Sequence, residues 1–135
     1  MLITRECDYG IRIIRALSDG SMKKSKVIAA EEHIPLTFAN KILGKLMHAS
    51  YLQSVRGAKG GYRLKRPLDT ITMADIITAL DDKRCANEYL CKGSDCAFKA
   101  GKNKACAIHH ELVLAQNMMV SSLGARTMDV VLYGA

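Results

Sequence analysis

Two short runs of strand character, Tyr51-Leu52-Gln53-Ser54-Val55 and Tyr62-Arg63-Leu64, flank Arg56-Gly57-Ala58-Lys59-Gly60-Gly61. A glycine-rich turn between β-prone segments closes a β-hairpin, and this one carries two cations at its tip. The segments before and after it are helical in pattern. The chain is therefore expected to be mainly α with a single small hairpin.

Residues 4 to 18 place Tyr9, Ile13, Ala16 and Leu17 at i, i+4, i+7 and i+8, the period of a helix with one buried face. Arg5, Arg12 and Arg15 form a second stripe, and Asp19-Gly20-Ser21 breaks the helix. Ser25 is a good N-cap for a short helix through Val27, Ile28 and Ala30 to about Glu32. Pro35 disfavours helical geometry at Ile34, so His33-Ile34-Pro35-Leu36 is a tight link. Thr37 is expected to cap a third helix with Phe38, Ile42, Leu46 and Ala49 inward.

Pro67 closes the hairpin unit, and Thr72 caps a fourth helix, Met73 to Leu80, with Asp75 completing a capping box. Residues 81–105 are polar and carry cysteines. A long helix follows from Ala107 to Leu123, with Ile108, Leu112, Ala115, Met119 and Leu123 near heptad spacing. Gly124 stops it, and Thr127 caps a last short helix through Val130, Val131 and Leu132. This divides one continuous domain into residues 1–70, with the hairpin, and residues 71–135, with a cysteine-bearing loop (81–106) and the long helix.

At 135 residues the chain suits one domain with a sizeable core. Its net charge of +7 is one-sided. Residues 1–72 hold thirteen Lys and Arg against six Asp and Glu, whereas residues 73–135 hold seven of each. A basic half suits a polyanion, with nucleic acid first and an anionic membrane surface second. No apolar run approaches the roughly 18–20 residues of a membrane span. Arg5, Glu6 and Asp8 interrupt the apolar core that a signal peptide needs, so a cytoplasmic location is expected. With no C-x-x-C pair, nucleotide loop or Ser/His/Asp constellation, an enzyme with a small-molecule substrate is not expected.

Helix, short helix, tight turn, helix and basic hairpin, in that order, make a winged helix-turn-helix. In such a unit the third helix enters the major groove by its N-terminal turns. Thr37, Asn40 and Lys41 lie there, with Asn40 suited to the edge of an adenine. Ser25 at the start of the second helix, and Arg56 and Lys59 on the wing, complete the expected contacts to double-stranded DNA. The wing glycines are expected to let the backbone approach the sugar-phosphate chain closely.

Five cysteines are present, and Cys85, Cys91, Cys96 and Cys106 precede His109 with spacing C-x5-C-x4-C-x9-C-x2-H. An odd number in a reducing compartment argues for metal binding or thiol chemistry over disulfides. Thiolates suit iron–sulfur clusters and zinc, although the spacing is not that of a zinc ribbon. Cys7, near the apolar face of the first helix, reads as a buried small hydrophobe.

The run Tyr51 to Leu64, with its S-x-R-G-x-x-G-G-Y core, resembles the wing of small bacterial winged-helix repressors of the IscR, NsrR and CymR kind. Asp8-Tyr9-Gly10-Ile11-Arg12, Ile34 to Phe38 with Lys41-Ile42-Leu43, and Asp75 to Leu80 extend the resemblance along the chain. It implies a homodimeric repressor that joins through its long C-terminal helix, with Met118, Met119 and Met128 in the dimer core. It also implies an iron–sulfur cluster, of two or four irons, held by Cys91, Cys96 and Cys106. The fourth ligand is then His109, Asp8 of the partner subunit, or Cys85, a cysteine additional to the family's three. The alternatives are a zinc or thiol switch, or a cluster-free regulator that responds to a metabolite or partner protein.

Overall fold

The computed structural model describes residues 3–81 and 107–134. The chain runs α1 (Arg5–Ala16), α2 (Ser25–Glu32), α3 (Leu36–His48), β1 (Leu52–Val55), β2 (Gly61–Leu64) and a 3-10 turn (Leu68–Thr70). It continues through α4 (Met73–Leu80), α5 (Ala107–Gly124) and α6 (Met128–Tyr133). The expected mainly helical fold with one hairpin is the fold observed.

Thr4 starts α1 from extended backbone, and its Oγ1 accepts a hydrogen bond from the Cys7 amide at 3.3 Å. Cys7, Gly10, Ile13, Ile14 and Leu17 turn into the core. Any Cβ on Gly10 would collide with the Leu80 side chain, so α1 and α4 pack closely here. Tyr9, expected inside, is half-buried at the edge of α1 against Phe38.

Ser25 does not cap α2. Lys24 holds the extended cap backbone, and Ser25 is already the first helical residue with no capping bond. The buried face is Ile28, Ala29 and Glu32, whereas Val27 and Ala30 are exposed. His33 ends the helix in the left-handed region (φ 53°, ψ 47°), a conformation His tolerates better than most residues. Pro35 then occupies the cap of α3, which makes Thr37 the second helical residue and leaves no side-chain cap. Ala39, Ile42, Leu43 and Leu46 form the inward face of α3.

The hairpin is antiparallel, in the register Leu52↔Leu64, Gln53↔Arg63, Ser54↔Tyr62 and Val55↔Gly61. Lys23 pairs with Tyr62 through two backbone hydrogen bonds of 2.9 and 2.7 Å, which ties the hairpin to the helices. Arg66 lies over the buried Tyr51 ring at 4.4 Å, and burial pushes the Tyr51 phenol above its usual range.

Thr72 and Asp75 form the expected capping box at the start of α4. The segment after α5 returns to the same place. Met128 N donates to Ile71 O at 2.7 Å, and Thr127 pairs with Thr72. Thr127 stands at the cap of α6 without a side-chain capping bond. Met128 is fully buried in the core of this chain, which corrects its assignment to a dimer core. Burial of a Met side chain is worth about 1.5–3 kcal/mol, so α6 is anchored within its own protomer.

Helix α5 differs from the rest. Its 18 residues include none that is buried, although it packs against α4. Along one side His109, Val113, Gln116, Val120 and Leu123 are half-buried, while Ile108, Leu112, Leu114 and Met118 are exposed.

Candidate nucleic-acid interface and cysteine region

Thr37, Asn40 and Lys41 are all exposed on the first turns of α3, on the side away from Ala39, Ile42 and Leu43. Lys41 is anchored loosely: its Nζ stands 3.7 Å from Glu6 while its side chain stays 57% exposed. Lys45, one turn on, takes the shorter contact with Glu6 at 2.6 Å and also donates to Leu80 O. Lys45 therefore holds α3 against α1 and α4, and Lys41 remains able to reach outward.

Phe38 corrects the expectation. It does not join the inner face of α3 but is 50% exposed beside Thr37. Ala39 and Leu43 fill the inward face beside Ile42 and Leu46, and Ala49, just past the helix, packs against the core as expected.

Arg56 and Lys59 are exposed at the hairpin tip. The turn rests on Gly57, at φ +113°, whose carbonyl accepts from Gly60 N at 3.0 Å. The glycines that follow are required within the hairpin itself. A Cβ on Gly60 would run into the Val55 carbonyl, and one on Gly61 would lie 2.6 Å from the Lys23 carbonyl oxygen. Ser25 is half-buried at the first turn of α2, with exposed Lys24 and Lys26 on either side. These two lysines escaped the sequence reading, because a solvated charge has no periodicity to mark it.

Other cations of the basic half are committed to structure. Arg15 grips the buried Glu32 with two hydrogen bonds, Nε to Oε1 at 3.1 Å and Nη2 to Oε2, and the carboxylate raises the guanidinium pKa. Arg12 pairs with Asp8 at 2.8 Å and donates to the Glu32 carbonyl at 3.4 Å. Lys23 donates to Ala16 O at 2.7 Å and to Glu31 at 2.8 Å, and the hydrogen bond to Glu31 raises its pKa. Exposed cations outside these pairs include Lys41 on α3, Arg56 and Lys59 on the wing, Lys24 and Lys26 at the start of α2, and Arg5 at the start of α1.

Of the candidate cluster ligands, Cys85, Cys91, Cys96 and Cys106 lie outside the described residues. Asp8 is on α1 and engaged by Arg12, at a cleft of about 440 Å³ bordered by Ile11, Arg15, Met73 and Met128. His109 is on the first turn of α5. Its Nδ1 is buried and has no hydrogen-bond partner among the described residues, as suits a ring nitrogen kept for another ligand. Among the described residues no three His, Cys, Asp or Glu side chains converge on one point. Cys7 is buried and free, and the Thr4 hydroxyl lies 3.3 Å from its Sγ.

Comparison with known proteins places this geometry. Protein aau3 of Rhizobium meliloti (strain 1021) is 29% identical over 132 residues, which cover 96% of this chain and 83% of that protein. T. potens IscR superimposes with a TM-score of 0.78 at 20% identity, covering 98% of this chain and 86% of that one. The oxidized form of Staphylococcus aureus CymR gives 0.73 at 24% identity, covering 98% and 97%. A family model described as "Rrf2: Iron-dependent Transcriptional regulator" matches residues 3–133. With residues 3–133 matched by that model, this chain belongs to the Rrf2 family of transcriptional regulators.

Proposed function

We propose that the chain is a homodimeric, cytoplasmic repressor that reads operator DNA with α3 and the hairpin and senses its signal through an iron–sulfur cluster. One observation carries the DNA half. The polar side chains on the first turns of α3 and the cations of the wing are exposed, while Arg12 and Arg15 of α1 are tied to Asp8 and Glu32. In this division residues 1–70 bind DNA, and residues 71–135 sense and dimerise.

Within the interface, Asn40 pairs with an adenine edge, Thr37 contacts a base or phosphate, and Lys41, Ser25, Arg56 and Lys59 bind phosphates. Asn40→Ala is expected to relax discrimination at one base pair by roughly 1–3 kcal/mol, and Arg56→Ala to lower the salt slope by about one unit at every sequence. Titrations at several salt concentrations on matched and mismatched duplexes check the distinction. Indistinguishable profiles from the two variants would remove it.

For the cluster, Cys91, Cys96 and Cys106 supply three thiolates. The fourth ligand is chosen among His109, Asp8 of the partner subunit and Cys85. His109 is favoured, because its Nδ1 is unpartnered among the described residues, whereas Asp8 has to leave Arg12 first. When bound, the cluster supplies a centre that exchanges an electron and reacts with oxygen or nitric oxide. Because α5 begins at Ala107, ligation at Cys106 and His109 is wired directly into the helix proposed to join the protomers.

The test is the visible spectrum of anaerobically purified protein, with iron, sulfide and zinc assays. Brown protein with iron and sulfide in comparable amounts, lost together in Cys91→Ala, Cys96→Ala and Cys106→Ala, is the expected result. Colourless protein that reconstitution leaves colourless would shift these cysteines to zinc or a thiol switch.

A further inference from the structure

One exposed side chain on the recognition helix has no role in the contacts above. Phe38 follows Thr37 and leaves half of its surface in water, although α3 already has a complete apolar face. Its ring sits 6.1 Å from the Tyr9 ring at an interplanar angle of 59°, a tilted aromatic pair. Tyr9 is in turn bracketed by the guanidinium groups of Arg5 at 6.0 Å and Arg12 at 5.9 Å. Lys41 stands three residues beyond Phe38 on the same helix. The result is an apolar ring, held in place by a second ring and rimmed by cations.

The chemistry of that patch selects its occupant. Arg12 is held by Asp8, but exposed Arg5 and Lys41 suit the phosphates of a polyanion and disfavour a purely apolar partner. Phenylalanine offers no hydrogen-bond donor or acceptor, so it reads none of the polar edges of the major groove. The groove floor presents one apolar group, the C5-methyl of thymine. We infer that Phe38 is a base-reading residue whose ring packs on a thymine methyl in each half-site, with Tyr9 as the residue that positions it.

This inference rests on the assignment of α3 as the groove-entering helix. Phe38 and Asn40 project about 160° apart around a helix of 3.6 residues per turn, so they read different base pairs. The half-site then contains a thymine recognised separately from the adenine of Asn40.

The test begins by selecting a tight duplex from a random-sequence library with the full chain. Each thymine is then replaced singly by deoxyuridine, which removes the methyl and keeps the base pair. For the unaltered chain the affinity is expected to fall about fourfold at one position per half-site, the worth of one buried methyl, and to stay unchanged elsewhere. Phe38→Ala is expected to bind the thymine and uracil duplexes equally at that position. Its salt slope is expected to equal that of the parent, because no charge is removed.

Tight selection followed by indifference to every deoxyuridine would overturn the Phe38 assignment and leave DNA binding standing. A methyl-dependent position that Phe38→Ala retains in full would overturn it too, by giving the contact to another residue. If no duplex is enriched, the DNA assignment fails and takes this inference with it.

Discussion

Helices α4 and α5 are neighbours in the chain's second half, both rich in apolar residues, yet they end in opposite situations. The 8 residues of α4 bury Ala74, Ile76, Ile77 and Leu80, while the 18 of α5 bury none. α4 finds its partners inside the chain, in α1 and α3, and its close approach to α1 is permitted by Gly10. α5 touches α4 along one side and leaves Ile108, Leu112, Leu114 and Met118 in water. The apolar surface of α4 is thus spent on folding the protomer, and that of α5 is available for assembly. Exposed apolar side chains at helical spacing on one element are what the proposed dimer contact requires.

The largest effect belongs to α4. Ile76 is fully buried and lies beside Gly10. Ile76→Ala leaves a cavity where α1 and α4 meet, and is expected to destabilise by about 2–5 kcal/mol. Urea unfolding at fixed protein concentration measures it, with an unchanged slope showing that the folded state is otherwise preserved. A loss below the cost of an ordinary surface substitution would mean that α4 is not part of the core that holds the basic half together.

The mirror experiment places a charge on α5. Leu112→Glu is expected to leave the chain folded and to convert the proposed dimer into a monomer in sedimentation velocity. The unaltered protein should gain about 1.4 kcal/mol of apparent stability per tenfold rise in concentration, and the variant none. A variant that still sediments as a dimer would break the contrast between the two helices.

These two helices also show what kind of information the sequence holds. The capping box at Thr72 and Asp75 places α4 to the residue, and near-heptad periodicity places α5 to within one, because α5 is long enough to repeat. Periodicity also marked the stripe Ile108, Leu112 and Ala115 as apolar, without saying whether its partner lay inside the chain. The same limit explains two misplacements. Phe38 was assigned inward and Met128 to a partner, yet Phe38 is exposed and Met128 is fully buried. Hydrophobicity tells that a side chain gains by leaving water, not which surface receives it.

Local backbone chemistry was legible where a side chain makes the decisive bond, as at Thr72 and Asp75. It failed at Ser25 and Thr37, where Lys24 and Pro35 take the cap by backbone geometry alone. The 3-10 turn Leu68–Thr70 is too short to carry any repeat. Among the DNA-facing residues, the wing cations could be named from the turn that exposes them. The ion pair that commits Arg15 joins α1 to Glu32 of α2, 17 residues along the chain, and nothing local announces it, whereas the Arg12–Asp8 pair follows the i,i+4 spacing within α1.

The smallest effect sharpens the contrast at the boundary between the two halves. Thr72 Oγ1 accepts from Asp75 N at 3.1 Å, and Asp75 Oδ2 accepts from Thr72 N at 2.9 Å. Thr72→Ala removes the first bond, together with the one the Thr72 hydroxyl donates to Asp75 Oδ2 at 2.8 Å, and retains the second, so the expected loss is about 1 kcal/mol. Thr72→Ser should restore most of it, since the hydroxyl rather than the methyl does the capping. The backbone of Thr72 also pairs with Thr127 at the start of α6. A loosened cap therefore affects α4 and α6 together, and leaves the exposed stripe of α5 as it was. The outcome to seek is a lower unfolding midpoint with an undiminished concentration dependence. If concentration dependence fell with it, α4 would be shaping the assembly face as well as the core, and the division of labour between the two helices would be less sharp than their burial implies.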